Sequence, residues 1–398
     1  MKRIALLVIA LLVSLGASAR TPKVTCPVDA TKATLVSEPD NKMSHALSTL
    51  ITDKGEVWVA YYCDKVNNVE KPSYTTINLM LSRFDIRKWQ SPKIEHTRLV
   101  SPGEEFEGYK QDMYAPYDPV LLKTENGVRC IFQGQEDGEA DLMAFDIDPK
   151  SGLAKRKMTP CTLTFRDGEQ TRTLPISTSG TQEYYRHLGI SDFTDFERPV
   201  LDKRFVEHDG WYYNILSNWA MQYSIPIIVR TKDGINYEVV FTCPEFTHGS
   251  TEGSIAIHEG RIYIIARTAN YKKELRPKRG CYLGVYSLTG ECLRKPHKIT
   301  DDCSRPEMIV RNNKVYAMYN VNPHYKVDSK TIHRSRVQLS EVDQNGDIVF
   351  GWEFVAKNSM QYYSLCEYRG DVYLTFIEDR LDVAHRDKGN VAFVKTEL

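Results

Sequence analysis

Six stretches of the chain open on a side chain that can carry a charge or move a proton, and each then runs into apolar residues. The openers are His45, Asp118, Glu197 with Arg198, Glu252, Arg305 and Tyr363. The stretch that follows each opener ends on a second polar set, namely Asp64, Gln133, Asn218, Arg267, Asn320 and Glu378. Such residue types, if gathered, suit acid–base chemistry on an acidic ligand. Histidine titrates near neutrality and can take or give a proton. Arginine offers a planar fork that matches a carboxylate. On this reading His45, Glu252 and Tyr363 are the catalytic candidates. Arg198, Arg267, Arg305, Glu197, Asp118 and Glu378 are the substrate-binding candidates. There is no HxH, HExxH or CxxC spacing, so no zinc site is expected. The chemistry requires no cofactor. A structural calcium in the centre, held by carboxylates and carbonyls, is compatible with the same set.

The elements that must position these residues repeat. Each opener heads a short apolar strand, a tight turn, and an apolar–aromatic strand. The turns are Asp53-Lys54-Gly55, Asn126-Gly127, Asp209-Gly210, Glu259-Gly260, Asn312-Asn313 and Arg369-Gly370. Strand-like segments follow each hairpin, as at 75–84, 141–145, 225–230, 281–286 and 332–339, and no long helical period competes. Late in the chain the copies recur about every 55 residues, the signature of four-stranded units in a β-propeller. The predicted fold is therefore all-β, a six- or seven-bladed propeller in a single domain over residues 20–398. A seventh unit is sought between residues 155 and 192. Residues 184–187 are read as loop. Residues 390–395 are expected to share a blade with residues 34–37. In a propeller the first strand of each blade lines the axis, so the openers should converge on one mouth.

Composition narrows the partner. The 398 residues carry a formal net charge of zero, which argues against a duplex nucleic-acid binder. The 23 tyrosines suit strands and can also stack on sugar rings. Residues 1–19 read as a signal peptide: Lys2-Arg3, an apolar run over 4–15, and Ala17-Ser18-Ala19 before the cut. The apolar run is short for a membrane span, so a periplasmic or secreted protein is expected. Nine cysteines leave at least one thiol unpaired, and Cys63, Cys130 and Cys366 read as buried free thiols.

Two resemblances give the set a more specific reading. Glu252, Gly260-Arg261-Ile262-Tyr263 and Arg267 resemble the sialidase stretch that carries a glutamate and a substrate-binding arginine. Gln361-Tyr362-Tyr363-Ser364, followed by residues 372–378, resembles the stretch around the sialidase tyrosine nucleophile. Thr231-Lys232-Asp233-Gly234-Ile235-Asn236-Tyr237 looks like a degenerate Asp-box turn, a marker of fold. The resemblance implies that Tyr363 attacks the anomeric carbon with Glu252 as its base. Sialidases, however, open the first blade with Arg-Ile-Pro, whereas this chain has Ser44-His45-Ala46-Leu47. That histidine, with the export signal and the repeat, resembles secreted bacterial propellers of glycoside hydrolase family 145, also described as polysaccharide lyase family 42. These release terminal L-rhamnose linked to glucuronate on plant arabinogalactan. The second resemblance covers the whole mature chain and implies a His45-based elimination on an acidic plant polysaccharide or oligosaccharide. A third class is a non-catalytic glycan-binding propeller that stacks sugar on Trp211, Trp219 and Tyr362.

Overall fold

All six predicted pairs of strands form, and five of them turn where the sequence places its Gly, Asn or Asp residues; Asn126, in the turn of the other, lies outside the described residues. The computed structural model describes residues 26–67, 73–125, 127–191, 198–218, 224–246, 250–268, 279–301, 303–321, 325–327, 330–332, 336–355, 360–379 and 389–398. The signal-peptide prediction, Glu197 and Trp219 lie outside these residues. Four of these turns place two successive residues at positive φ: Asp209-Gly210, Glu259-Gly260, Asn312-Asn313 and Arg369-Gly370. This is the backbone twist that joins neighbouring antiparallel strands with least splay.

Five four-stranded antiparallel sheets form regular propeller blades. The first holds Met43–Ile51, Glu56–Asp64, Ile77–Asp85 and Glu95–Val100, and the second starts at Tyr117–Thr124. Two more start at Ser250–His258 and Glu307–Arg311. The last combines Met360–Tyr368, Asp371–Asp379 and Gly389–Lys395 with Thr34–Leu35 from the other end of the chain. The expected pairing of the two chain ends is thus present, with Thr34 opposite Phe393 and Leu35 opposite Ala392.

The count of six or seven blades needs correction to five regular blades. A sixth, larger sheet has seven strands, and two short two-stranded ribbons stand apart. No separate unit forms between residues 155 and 192. Instead the hairpin of Thr162–Asp167 and Gln170–Pro175 pairs in parallel with Asn236–Thr242 and widens the sheet that contains Pro199–Leu201 and Trp211–Asn218. The segment after it is a helix, Thr178–His187, so residues 184–187 are not loop. Ser177 caps this helix by accepting from the Gly180 amide. Tyr184 and Tyr185 bury against the seven-stranded sheet. The turn at Asp233 forms as read, its carboxylate accepting from the amides of Ile235 and Asn236.

Apolar side chains fill the wedges between neighbouring sheets. One cluster joins Val57, Val59 and Tyr61 of the first blade to Tyr373, Ile377 and Phe393 of the last. All nine cysteines are free thiols. Cys63 and Cys130 are buried as expected, and burial pushes the Cys63 thiol up to about 12. Cys366 is half-buried. Among the described residues no helix is long and apolar enough to cross a membrane.

Ring closure rests on Phe393, whose ring meets Phe84 at 5.1 Å and Tyr373 at 5.5 Å between centroids. Phe393→Ala should cost about 3–5 kcal/mol in chemical denaturation, as other large-to-small core changes do. A loss under about 1 kcal/mol would mean that the terminal strands do not hold the ring closed.

Candidate active site at the channel mouth

The axial ends of the inner strands share an unusual backbone. Ala46, Asp118, Arg305 and Tyr362 have φ of 33°, 46°, 35° and 54°, and none of them lies in a hairpin turn. A left-handed residue with a side chain costs on the order of 1–3 kcal/mol and collects at functional sites. Three of the four lie at or beside a slip in pairing: between His45 and Leu47, between Tyr117 and Val120, and between Gln361 and Ser364. A further slip falls between Ser250 and Glu252. Each is a bulge, which inserts residues into one strand and re-aims the side chains around them.

These bulges converge on a buried ionic cluster. The Arg305 guanidinium pairs with Asp118, and its Nε lies 3.5 Å from Glu252 Oε1. Arg267 donates to Glu252 Oε2 at 2.6 Å, and the Arg305 amide also approaches that oxygen at 3.3 Å. The Tyr362 hydroxyl donates to Glu252 Oε1 at 3.3 Å. His45 lies 4.1 Å from the Tyr362 ring between centroids, and its Nδ1 is 2.5 Å from the Tyr62 hydroxyl. Tyr62 in turn meets the edge of Tyr117. Each of the five sheet positions supplies one part: His45 and Tyr62 from the first blade, Asp118 from the second, Glu252 with Arg267, Arg305, and Tyr362.

Burial sets the electrostatics. It pushes the Asp118 carboxyl above its ordinary range, with Arg305 pulling the other way and Glu252 adding to the rise. For Arg305 and Arg267 burial acts to lower the pKa, but the facing carboxylates outweigh it and both guanidinia are held protonated. Among the described residues no group of three or more His, Cys, Asp or Glu could hold a metal ion. The mouth carboxylates Asp118 and Glu252 face guanidinium groups.

Arg198 sits at the rim, half-buried, over the rings of Tyr114 and Tyr117 at 5.1 and 5.8 Å. It donates to Gln133 Oε1 at 3.4 Å. A small cavity lies next to the cluster, lined by Val200, Leu201, Ser217, Thr251, Glu252 and Arg305 among others.

Of the candidates read from sequence, His45, Asp118, Glu252, Arg267 and Arg305 come together, with Arg198 at the edge. Glu197 lies outside the described residues. Glu378 stands opposite Met360 and Asn390 in the last blade, half-buried. Tyr363 requires correction. It is fully buried among Met318, Leu339 and Phe376, and its hydroxyl donates to the Met360 carbonyl at 2.9 Å. The bulge turns Tyr362 to the axis in its place. Asp64 caps its own loop by accepting from Val66, Asn67 and Thr76. Gln133 and Asn320 donate to the carbonyls of Pro199 and Met360, tying one sheet to the start of the next. Trp211 lies opposite His208 beside the outer turn, under Arg230 and Lys232. Tyr62, Tyr114 and Tyr117 were not singled out from sequence. A usable signal was present, since Asp118, Arg198 and Arg305 each precede a proline, which marks a strand start.

The fold is shared with several solved structures. A protein of unknown function from Dyadobacter fermentans superposes with a TM-score of 0.61 at 10% identity, over 94% of this chain and 99% of that one. The Hadza microbial sialidase gives 0.56 at 11% identity, over 92% and 68%. Trypanosoma rangeli sialidase gives 0.55 at 11% identity, over 91% of this chain and 58% of that one. No protein-family model and no curated protein matches the sequence. At such identity the likeness is one of fold alone: the chain is built as a β-propeller.

The cluster makes a pH-dependent prediction. Arg305→Met leaves Asp118 and Glu252 buried without their shared cation, which should cost about 3–5 kcal/mol near neutral pH. Asp118, already raised, then rises further, so the folded state binds a proton that the unfolded state lacks at intermediate pH. Stability is therefore lost as pH climbs through that window and regained on acidification. Urea denaturation should show the deficit shrinking between about pH 7 and pH 5. A deficit independent of pH would show that the Asp118–Arg305 contact carries no charge.

Proposed function

We propose that the protein is a carbohydrate-active enzyme that cleaves a glycan at a uronic acid, by elimination, with His45 as the base. The observation that carries this reading is the single buried chain of contacts Tyr62–His45–Tyr362–Glu252–Arg305. A base held by a hydroxyl on one nitrogen, a proton donor against its ring and a cationic field beside both are the parts an elimination needs.

The steps follow from those parts. In the tautomer that directs Nδ1–H at the Tyr62 oxygen, the basic lone pair of His45 is on Nε2. The substrate carboxylate pairs with Arg198, which lies over two tyrosine rings, donates to Gln133 and is near enough to Asp118 to act on its charge. That pairing lowers the cost of charge at C5. Nε2 takes the C5 proton, the C5 electron pair becomes the C4=C5 double bond, and the bond from C4 to its oxygen breaks. Tyr362 protonates the departing oxygen. The products are an unsaturated uronate and a free sugar, and water enters neither bond. By the resemblance stated above, the departing sugar is L-rhamnose and the substrate a rhamnosyl-glucuronate cap of arabinogalactan. The enzyme acts outside the cytoplasm, after loss of residues 1–19.

One contact favours a second reading. A tyrosine hydroxyl 3.3 Å from a buried carboxylate is the pairing that a tyrosine nucleophile requires, so Tyr362 with Glu252 suits a retaining exo-glycosidase. A third, non-catalytic reading would use the mouth aromatics only for stacking.

The protein should be incubated with rhamnose-capped arabinogalactan and with a sialoside, following released sugar and the ultraviolet absorbance of an unsaturated uronate. Elimination predicts rhamnose and absorbance rising together. His45→Ala should lower the rate by about 100-fold or more. Sialic acid release, abolished by Tyr362→Phe and unaffected by His45→Ala, would overturn the proposal. No product from any acidic glycan would leave the binding module.

A further inference from the structure

A charged side chain lies beneath the mouth and belongs to none of the roles above. Lys203 is 0% exposed. It stands in the segment between Pro199–Leu201 and Val206–His208, where the seven-stranded sheet meets the axis. Its main chain is tied to the first two blades: Ser48 Oγ donates to the Lys203 carbonyl at 2.5 Å and accepts from the Leu121 amide at 2.9 Å. Its side chain reaches across the axis. Nζ donates to the carbonyls of Pro306 at 2.9 Å and Arg305 at 3.3 Å. Glu307 and Asp202 lie 3.5 and 3.7 Å from Nζ.

The two carbonyls belong to the two peptides that directly follow Arg305, which stands at φ 35°. This conformation is doubly disfavoured, because Arg305 carries a Cβ and precedes a proline. A strained residue persists only where its surroundings over-determine it. Burying an ammonium is costly unless its hydrogen bonds and its charge are met, and here the two carbonyls and Glu307 meet them. Placing this cation beneath two successive carbonyls fixes their direction and hence the aim of the Arg305 side chain.

We infer that Lys203 is a positioning residue, a peg across the channel that locks Arg305 in its left-handed conformation and so places the guanidinium between Asp118 and Glu252. It does not touch substrate. Its effect on turnover rests on the reading of the mouth as a catalytic centre, whereas its effect on the Arg305 backbone does not. Through Arg305 it holds Glu252, the acceptor for Tyr362. A displaced proton donor slows the chemical step and leaves binding at Arg198 almost unchanged.

Lys203→Met alone would leave Glu307 buried with Arg204 as its one remaining cation among the described residues, and would itself perturb folding. The informative comparison is therefore Glu307→Gln against Lys203→Met with Glu307→Gln. Glu307→Gln keeps the carbonyl contacts, so Arg305 should hold its positive φ. In the double variant, crystal structures should show Arg305 relaxed to negative φ and its guanidinium withdrawn from Asp118. The kcat for elimination should fall about 100-fold, as misplacement of a catalytic group does, with KM changed less than about threefold. Arg305 at positive φ in the double variant, with kcat equal to that of Glu307→Gln, would overturn the inference. If the wild-type protein performs no elimination, the proposed function falls and the crystal structures alone decide the role of Lys203.

Discussion

The placement of one guanidinium between two carboxylates, Arg305 between Asp118 and Glu252, organises the mouth of this propeller. The three residues come from three different sheets, so the contact exists only when the ring is assembled and each inner strand is in register. Taking such groups out of water is expensive, and their attraction offsets the cost only if geometry is held closely. Register is held from outside the cluster. Apolar wedges fix each sheet against the next, Gln133 and Asn320 tie second strands to the following inner strand, and the pairing of Thr34–Leu35 with Gly389–Lys395 closes the circle.

The same requirement accounts for the left-handed residues. A regular inner strand would alternate its side chains between the two adjoining wedges, which are apolar. Arg305, Asp118 and Tyr362 escape that alternation because a positive φ redirects the chain where it meets the axis. The strain is localised at the positions where polar groups must face one another. Beneath them Lys203 supplies a second ionic layer.

Much of the fold was legible because it rests on local signals. Turn residues in pairs, short apolar runs and their spacing placed all six hairpins and the joining of the chain ends. The seven-stranded sheet was not legible. Its extra hairpin, Thr162–Asp167 with Gln170–Pro175, looks in sequence like the start of another blade, and only the parallel contact with Asn236–Thr242 shows otherwise. The helix Thr178–His187 has one amphipathic stretch too short to stand out beside tyrosines that also suit strands. At the site, residue types at strand openings identified His45, Asp118, Glu252 and Arg305, and the polar ends of the following strands added Arg267. The choice between Tyr362 and Tyr363 depends on a bulge, and a slip of one residue exchanges the faces of a strand. Lys203 was invisible, since a lone lysine beside Asp202 and Arg204 reads as a solvated turn and its partners lie about a hundred positions away.

What this mouth does to a glycan turns on whether water enters the products. Elimination and hydrolysis release the same terminal sugar but differ in the source of one oxygen. The most direct measurement is a single turnover on rhamnosyl-glucuronate in heavy-oxygen water, with both products analysed by mass. Elimination by His45 predicts no label in the released sugar beyond slow exchange at its anomeric carbon, and a uronate product lighter than its hydrolytic counterpart by one water. A saturated uronate, with heavy oxygen incorporated at the anomeric carbon at the rate of cleavage, would contradict the account.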